Sequence, residues 1–147
     1  MTKELDEKLC KEFPHVFRQR NGDKMETCMC WGFECADGWY DLLYRCSAKI
    51  ERAIIQMKKD DPTLTDDDLP CASQIKEKFG TLRFYMHGYT DEIDAATSEA
   101  EEESETTCEE CGKAGTLRQG GWMVTLCDAC QDKRENPKEE NVEHEDV

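Results

Sequence analysis

Cys108, Cys111, Cys127 and Cys130 form two Cys-x2-Cys pairs separated by fifteen residues. A pair at that spacing turns both thiolates to one side of a tight knuckle, and two knuckles at this separation close the four-sulfur shell of a zinc ribbon. The intervening residues agree. Gly112 follows the second ligand, where a knuckle often needs a positive φ, and Gly120-Gly121 offers a two-residue hairpin turn between Thr116 to Gln119 and Trp122 to Leu126. Four thiolates leave no open position for water, so the spacing predicts one structural Zn2+ rather than a catalytic one. Its role would be to fold a segment with almost no core of its own, since structural zinc contributes on the order of 10 to 16 kcal/mol of apparent binding free energy. Iron in a rubredoxin-like site would want a more apolar shell than this charged segment offers.

Six cysteines remain: Cys10, Cys28, Cys30, Cys35, Cys46 and Cys71. Cys46 falls on the apolar face of a helix and reads as a small core residue. Cys28, Cys30 and Cys35 make a Cys-x-Cys-x4-Cys pattern that a second metal could use, alone or with a histidine, although that spacing carries little information. His15, His87 and His144 are the only histidines, and none lies between the cysteine pairs, where a zinc-stabilised nuclease would need its base. Neither a phosphate-cradling glycine loop nor a serine-nucleophile elbow is present. The inventory assigns no catalytic residue and predicts a protein that is not an enzyme.

The elements that position these groups follow from periodicity. Leu5, Leu9 and Phe13 form one stripe of a short helix ended by Pro14. The segment 18–27 is turn-like, and the cysteine-rich run 28–38 has no clear pattern. From Asp37, a plausible N-cap, Trp39, Leu42, Leu43, Cys46, Ile50, Ala53, Ile54 and Met57 define a central helix ending near Lys58 and Lys59. A loop over 60–73 leads to a β-hairpin from Gln74 to Met86 that turns near Gly80. Alternation puts Ile75, Phe79, Leu82, Phe84 and Met86 on one face and Lys76, Lys78, Arg83 and Tyr85 on the other. Glu77 falls on the apolar side, which requires a bulge or an inward carboxylate. Thr90 caps a second helix with the stripe Ile93, Ala96 and Ala100, and its acidic end should fray against the helix dipole. The expectation is an α+β protein: a small helix and β-hairpin domain at 1–90, an acidic helix or linker at 91–107, a zinc ribbon at 108–134 and a disordered acidic tail at 135–147.

The net charge of -15 is segregated. Residues 1–90 carry 14 basic and 16 acidic side chains, whereas residues 91–147 carry 5 and 18. The C-terminal third therefore repels nucleic-acid backbone, disfavouring duplex DNA, and attracts basic protein surface. A solvated, solubilising surface is the plainer account of the same charge. With neither a secretory signal nor an apolar membrane-crossing run, the chain is expected in a reducing cytoplasm, away from membranes, its cysteines unpaired.

The stretches Cys28-Met-Cys-Trp-Gly-Phe-Glu-Cys-Ala-Asp-Gly-Trp-Tyr-Asp-Leu-Leu43, Gln74-Ile-Lys-Glu-Lys-Phe-Gly-Thr-Leu-Arg-Phe-Tyr85, Cys108-Glu-Glu-Cys-Gly112 and Gly121-Trp-Met-Val-Thr-Leu-Cys-Asp-Ala-Cys130 resemble a family of small accessory proteins of tailed bacteriophages. The resemblance covers most of the chain. It implies a phage product acting in the host cytoplasm and carries no established activity with it. The acidic stretch 99–110 departs from the resemblance. The ribbon alone is similar to the DnaK-suppressor and TraR family, in which a helix enters a four-cysteine zinc site, and this implies a modulator of RNA polymerase.

Two binding modes follow. In the first, the acidic arm, including Glu101, Glu102 and Glu103, docks on a basic surface of a host protein such as a nuclease, a defence component or RNA polymerase. In the second, Lys76, Lys78, Arg83 and Tyr85 hold a nucleotide or single-stranded nucleic acid, unless they are simply a solvated hairpin face. Trp39 reads as core. Core is also the simpler reading of Trp31, although its glycine- and cysteine-rich setting could make it a pocket wall.

Overall fold

The computed structural model describes residues 1–137. Helix α1 (Lys3–Glu12) leads through a turn-rich segment and a 3-10 turn (Cys28–Trp31) to a short strand β1 (Phe33–Glu34). A second 3-10 turn (Asp37–Trp39) opens directly into the central helix α2 (Tyr40–Asp60). Strands β2 (Cys71–Lys78) and β3 (Thr81–His87) form an antiparallel hairpin, and β1 adds to β2 in parallel, with Phe33 opposite Ile75. Helix α3 (Asp91–Ser104) precedes a separate hairpin, β4 (Thr116–Gly120) and β5 (Trp122–Leu126), and a short helix α4 (Asp128–Glu135). The fold is α+β, as the periodicities require.

One core joins the three long elements. Leu42, Leu43, Cys46, Ile50 and Ile54 of α2 are buried with Ile75, Leu82 and Phe84 of the sheet and Leu9 of α1. Glu51, buried on the same helix, accepts the backbone N–H groups of His15 (3.0 Å) and Val16 (3.0 Å), and its Oε1 lies 2.6 Å from His15 Nδ1. That carboxylate holds the turn after α1 against α2 by satisfying donors that would otherwise be buried unpaired. Asp37 does not cap α2. The helix starts three residues later, and the Asp37 carboxylate instead accepts the Thr2 N–H at 2.7 Å.

The acidic segment 91–107 contributes to this same core. Thr90 Oγ1 accepts the Ile93 N–H, and Ile93, Ala96 and Ala100 are buried against α2 and β3. Small side chains at the contact allow the two helices to approach closely. The C-terminal turn of α3, expected to fray, is continuous through Ser104. Lys49 reaches Glu99 and Arg45 reaches Glu103, each at 2.7 Å, placing cations where the helix dipole is negative. Ser104, fully buried, accepts the Leu82 N–H and so ties α3 to β3.

The hairpin departs from its expected register at two points. Strand β2 begins at Cys71 rather than Gln74, and an irregularity between Ala72 and Gln74 resets the alternation. Lys78 pairs with Thr81, so Phe79 and Gly80 are the two turn residues, with φ of 54° and 85°. Positive φ at both central positions is the geometry of a type I′ turn, which matches the twist of the strands. Phe79 is therefore not on the apolar face: it is 64% exposed. A side chain held in the left-handed region costs about 1 to 2 kcal/mol, which asparagine or glycine would largely avoid. Glu77 resolves its inward position by folding back, its Oε1 accepting the Gly80 N–H at 2.8 Å.

The ribbon is seated on the core, and Gly38 is where the two meet. The Gly38 N–H donates to Glu109 O at 2.7 Å, and Trp39, fully buried, donates its Nε1–H to Thr107 O at 2.9 Å. A Cβ on Gly38 would run into the carbonyl oxygens of Cys108 and Glu109. Because these are backbone atoms, Gly38→Ala is expected to cost about 3 kcal/mol, at the upper end of overpacking effects, and urea unfolding of the two proteins side by side measures it.

Candidate metal centre and the residues around it

The two knuckles are built by local hydrogen bonds. In the first, the Cys108 N–H donates to Lys113 O (2.7 Å) and the Gly112 N–H to Cys108 O (2.9 Å). Gly112 has a φ of 81°, the left-handed conformation the sequence anticipates there. In the second, Cys127 caps α4: its Sγ accepts the Cys130 N–H at 3.4 Å, and its carbonyl accepts from Gln131. Arg118 of β4 spans to the second knuckle, donating to Leu126 O and to Asp128 Oδ1 at 2.8 Å. The hairpin between the knuckles pairs Gln119 with Met123 and Gly120 with Trp122, so the turn centres on Gly121 alone, not on Gly120-Gly121. That shift places Val124 and Leu126 inward beside buried Cys108.

These elements bring together the four cysteines that the spacing selects. Their Sγ atoms all lie within 4.8 Å of one another, and Cys111 Sγ is 3.6 Å from Cys127 Sγ. A tetrahedral ion with metal–sulfur bonds of about 2.3 Å needs sulfur–sulfur edges of about 3.8 Å, which this set brackets. The residues present fit a metal ion of zinc-ribbon type. The Cys130 N–H directed at Cys127 Sγ holds that thiol down to about 7, while desolvation pushes Cys130 upward. One ligand is thus poised as a thiolate, and others release protons when a cation enters.

Cys28, Cys30 and Cys35 are exposed, half-buried and buried in turn, and among the described residues they form no metal-ligating group. Cys46 packs in the core as expected, its thiol 3.4 Å from Ala96 O. Trp39 is core, but Trp31 is not: it is 63% exposed at the end of the 3-10 turn that buries Met29, and it lines a pocket of about 540 Å³ with Asp6, Cys10, Arg20 and Phe33.

The remaining candidates separate into two groups. Lys76, Arg83 and Tyr85 are assembled on one face of the hairpin, Lys76 opposite Arg83 and its Nζ 6.0 Å from the Tyr85 ring. Lys78 continues that face, its Nζ 5.7 Å from the Phe79 ring. The acidic triad is less available. Only Glu102 is exposed, since Glu101 is half-buried, with its carboxyl pushed upward by desolvation, and Glu103 is paired with Arg45. Sequence reasoning missed Phe79 and Trp122 altogether as surface groups. Trp122 is 70% exposed at the tip of the second hairpin and shares a groove of about 380 Å³ with Phe79.

No helix among the described residues is long and apolar enough to cross a membrane. The acidic tail expected at 135–147 lies, from residue 138 onward, outside the described residues. Comparison of the chain with protein-family models, curated proteins and solved structures yields no match.

Titration of the metal-free protein with cobalt(II) reads the site directly. The wild type is expected to show the intense absorption of a four-thiolate tetrahedral ion. Cys108→Ser and Cys127→Ser should each abolish it, and Cys28→Ser with Cys30→Ser should leave it intact.

Proposed function

We propose that the chain is a zinc-stapled, non-catalytic accessory protein of a bacteriophage, acting in the host cytoplasm by docking an acidic surface on a basic host protein. The four cysteines hold one structural zinc. The observation that carries this reading is the seating of the ribbon. Four hydrogen bonds, from Gly38, Trp39 and Ala36 to the 107–109 segment and from Thr125 Oγ1 to Gly80 O, fasten the metal module to the core in one orientation, directly after the acidic segment 91–107. A docking surface ordered before encounter loses less entropy on binding. The charge supports the choice of partner, since residues 91–147 hold 18 acidic and 5 basic side chains. Glu51, the carboxylate beside His15, is occupied with backbone donors, which favours a structural role over acid–base chemistry.

The exposed carboxylates best placed to steer a basic partner are Glu102, Glu105 and Glu110. Reversing these three to lysine should slow association with a partner captured from host lysate and flatten its salt dependence. Melting temperature should hardly change, because none of the three carries an ion pair that holds α3. Association measured at two ionic strengths checks this, and an unchanged on-rate and salt slope would reduce the acidity to a solubility device. Metal analysis of the same preparations should return one equivalent of zinc per chain.

A further inference from the structure

The tip of the first hairpin packs against the strands of the second. Thr125 Oγ1 donates to Gly80 O at 2.7 Å, and Leu117 packs over Gly80 so closely that a Cβ there would collide with it. This contact sets the β2–β3 turn against β4 and β5, and Phe79 and Trp122 line one groove. Two large aromatic side chains, 64% and 70% exposed, are an unusual expense at a surface. Phe79 is also held at a φ that a side chain rarely adopts. Strain retained at an exposed ring points to a use for the ring.

The groove is continuous with the basic face of the hairpin. Lys78 lies against Phe79, Lys76 lies against Tyr85, and Arg83 is opposite Lys76, so aromatic faces and cations alternate from the sheet to the tip. Successive same-face positions on a strand are about 7 Å apart, which spreads the cations along a track. Rings that accept a stacked base, interleaved with lysine and arginine, are the chemistry of sequence-tolerant single-strand binding. We infer that Tyr85, Lys76, Arg83, Lys78, Phe79 and Trp122 form a binding track for single-stranded nucleic acid, with Phe79 and Trp122 as the stacking platform.

Acidic neighbours limit the electrostatic part. Glu77 lines the groove itself, with one oxygen accepting the Gly80 N–H, Glu34 is opposite Lys76 in the sheet, and Glu101 lies near Arg83. At physiological salt, charges further than about 8 Å are largely screened, so the distant acidity of the chain does not abolish a local contact. Affinity should come mainly from stacking and depend weakly on salt. Duplex DNA, whose base faces are hidden, should not bind. This surface is separate from the acidic one, and the inference stands without the protein-docking reading.

The test uses the zinc-loaded full chain and a fluorescein-labelled single strand of roughly 12 nucleotides, deoxythymidine or uridine, within the usual footprint of such sites. The expected result is saturable binding tighter than roughly 100 µM, the weak end of nonspecific association. Trp122→Ala and Phe79→Gly should each weaken it by about 5- to 100-fold. Phe79→Gly removes the ring and relieves the turn, so its melting temperature should equal or exceed the wild type, which separates lost binding from lost folding. Met25→Ser, at an exposed apolar residue outside the track, should bind as the wild type does. With three cations and about 0.7 counterions released per single-strand phosphate, the slope of log K against log salt should be no steeper than about -2. Absence of single-strand binding, equal binding of duplex, a steeper slope, or full binding by both tip variants would overturn the inference. So would tip variants that lose a captured basic protein while retaining the oligonucleotide, which would assign the aromatic pair to protein docking.

Discussion

The close approach of Gly38 to the first knuckle is the contact on which the arrangement of the whole molecule rests. The Gly38 N–H meets Glu109 O, the buried indole of Trp39 meets Thr107 O, and the Ala36 N–H meets the half-buried Glu109 carboxylate. Three donors from the approach to α2 are satisfied by the entrance to the ribbon, and the ribbon's entrance is satisfied by them. Backbone groups in such a junction have no other partner once water is excluded, so the two parts fix one another's position. A metal ion between the knuckles would therefore stiffen more than the ribbon: through Glu109 and Thr125 it would reach the N-terminus of α2 and the turn at Gly80.

Charge is managed by the same long-range packing. An isolated helix with the composition of α3 would be weakened by its own acidic C-terminal turn. Arg45 and Lys49 of α2 offset this by lying alongside Glu103 and Glu99. Exposed ion pairs are individually worth little, on the order of 0.2 to 1 kcal/mol. The burial of Ile93, Ala96 and Ala100 does most to hold α3, and the ion pairs keep its last turn from opposing that burial. The net negative charge that α3 presents to solvent is consequently smaller than its composition suggests.

Elsewhere the chain accepts local strain in order to place side chains. The type I′ turn of the first hairpin would form readily with asparagine at its first position, yet phenylalanine stands there with its ring in solvent. The second hairpin ends comparably, with Trp122 beside Gly121. Neither aromatic contributes to the buried core, and Thr125 ties the first turn to β5.

What the amino-acid sequence determined by itself was whatever depends on spacing along the chain. The Cys-x2-Cys pairs, the positive φ at Gly112, the stripe of α2 from Leu42 to Ile54, the Thr90 cap and the basic strip from Lys76 to Tyr85 are all local patterns, and each takes its expected form. The tertiary structure decided what depends on partners distant in sequence. Phe79 left the apolar face because pairing of Lys78 with Thr81 made it a turn residue, and periodicity cannot distinguish the last residue of a strand from the first of a turn. Trp31 was exposed and Trp39 buried although both lie in one glycine-rich run, because Thr107, nearly seventy residues away, supplies the acceptor for the Trp39 indole. Helix α3 became part of the core instead of an arm because α2 offered both apolar surface and two cations to an otherwise self-repelling segment. The groove shared by Phe79 and Trp122 joins residues with no periodic relation, and only the packing of the first hairpin's tip on the second hairpin creates it.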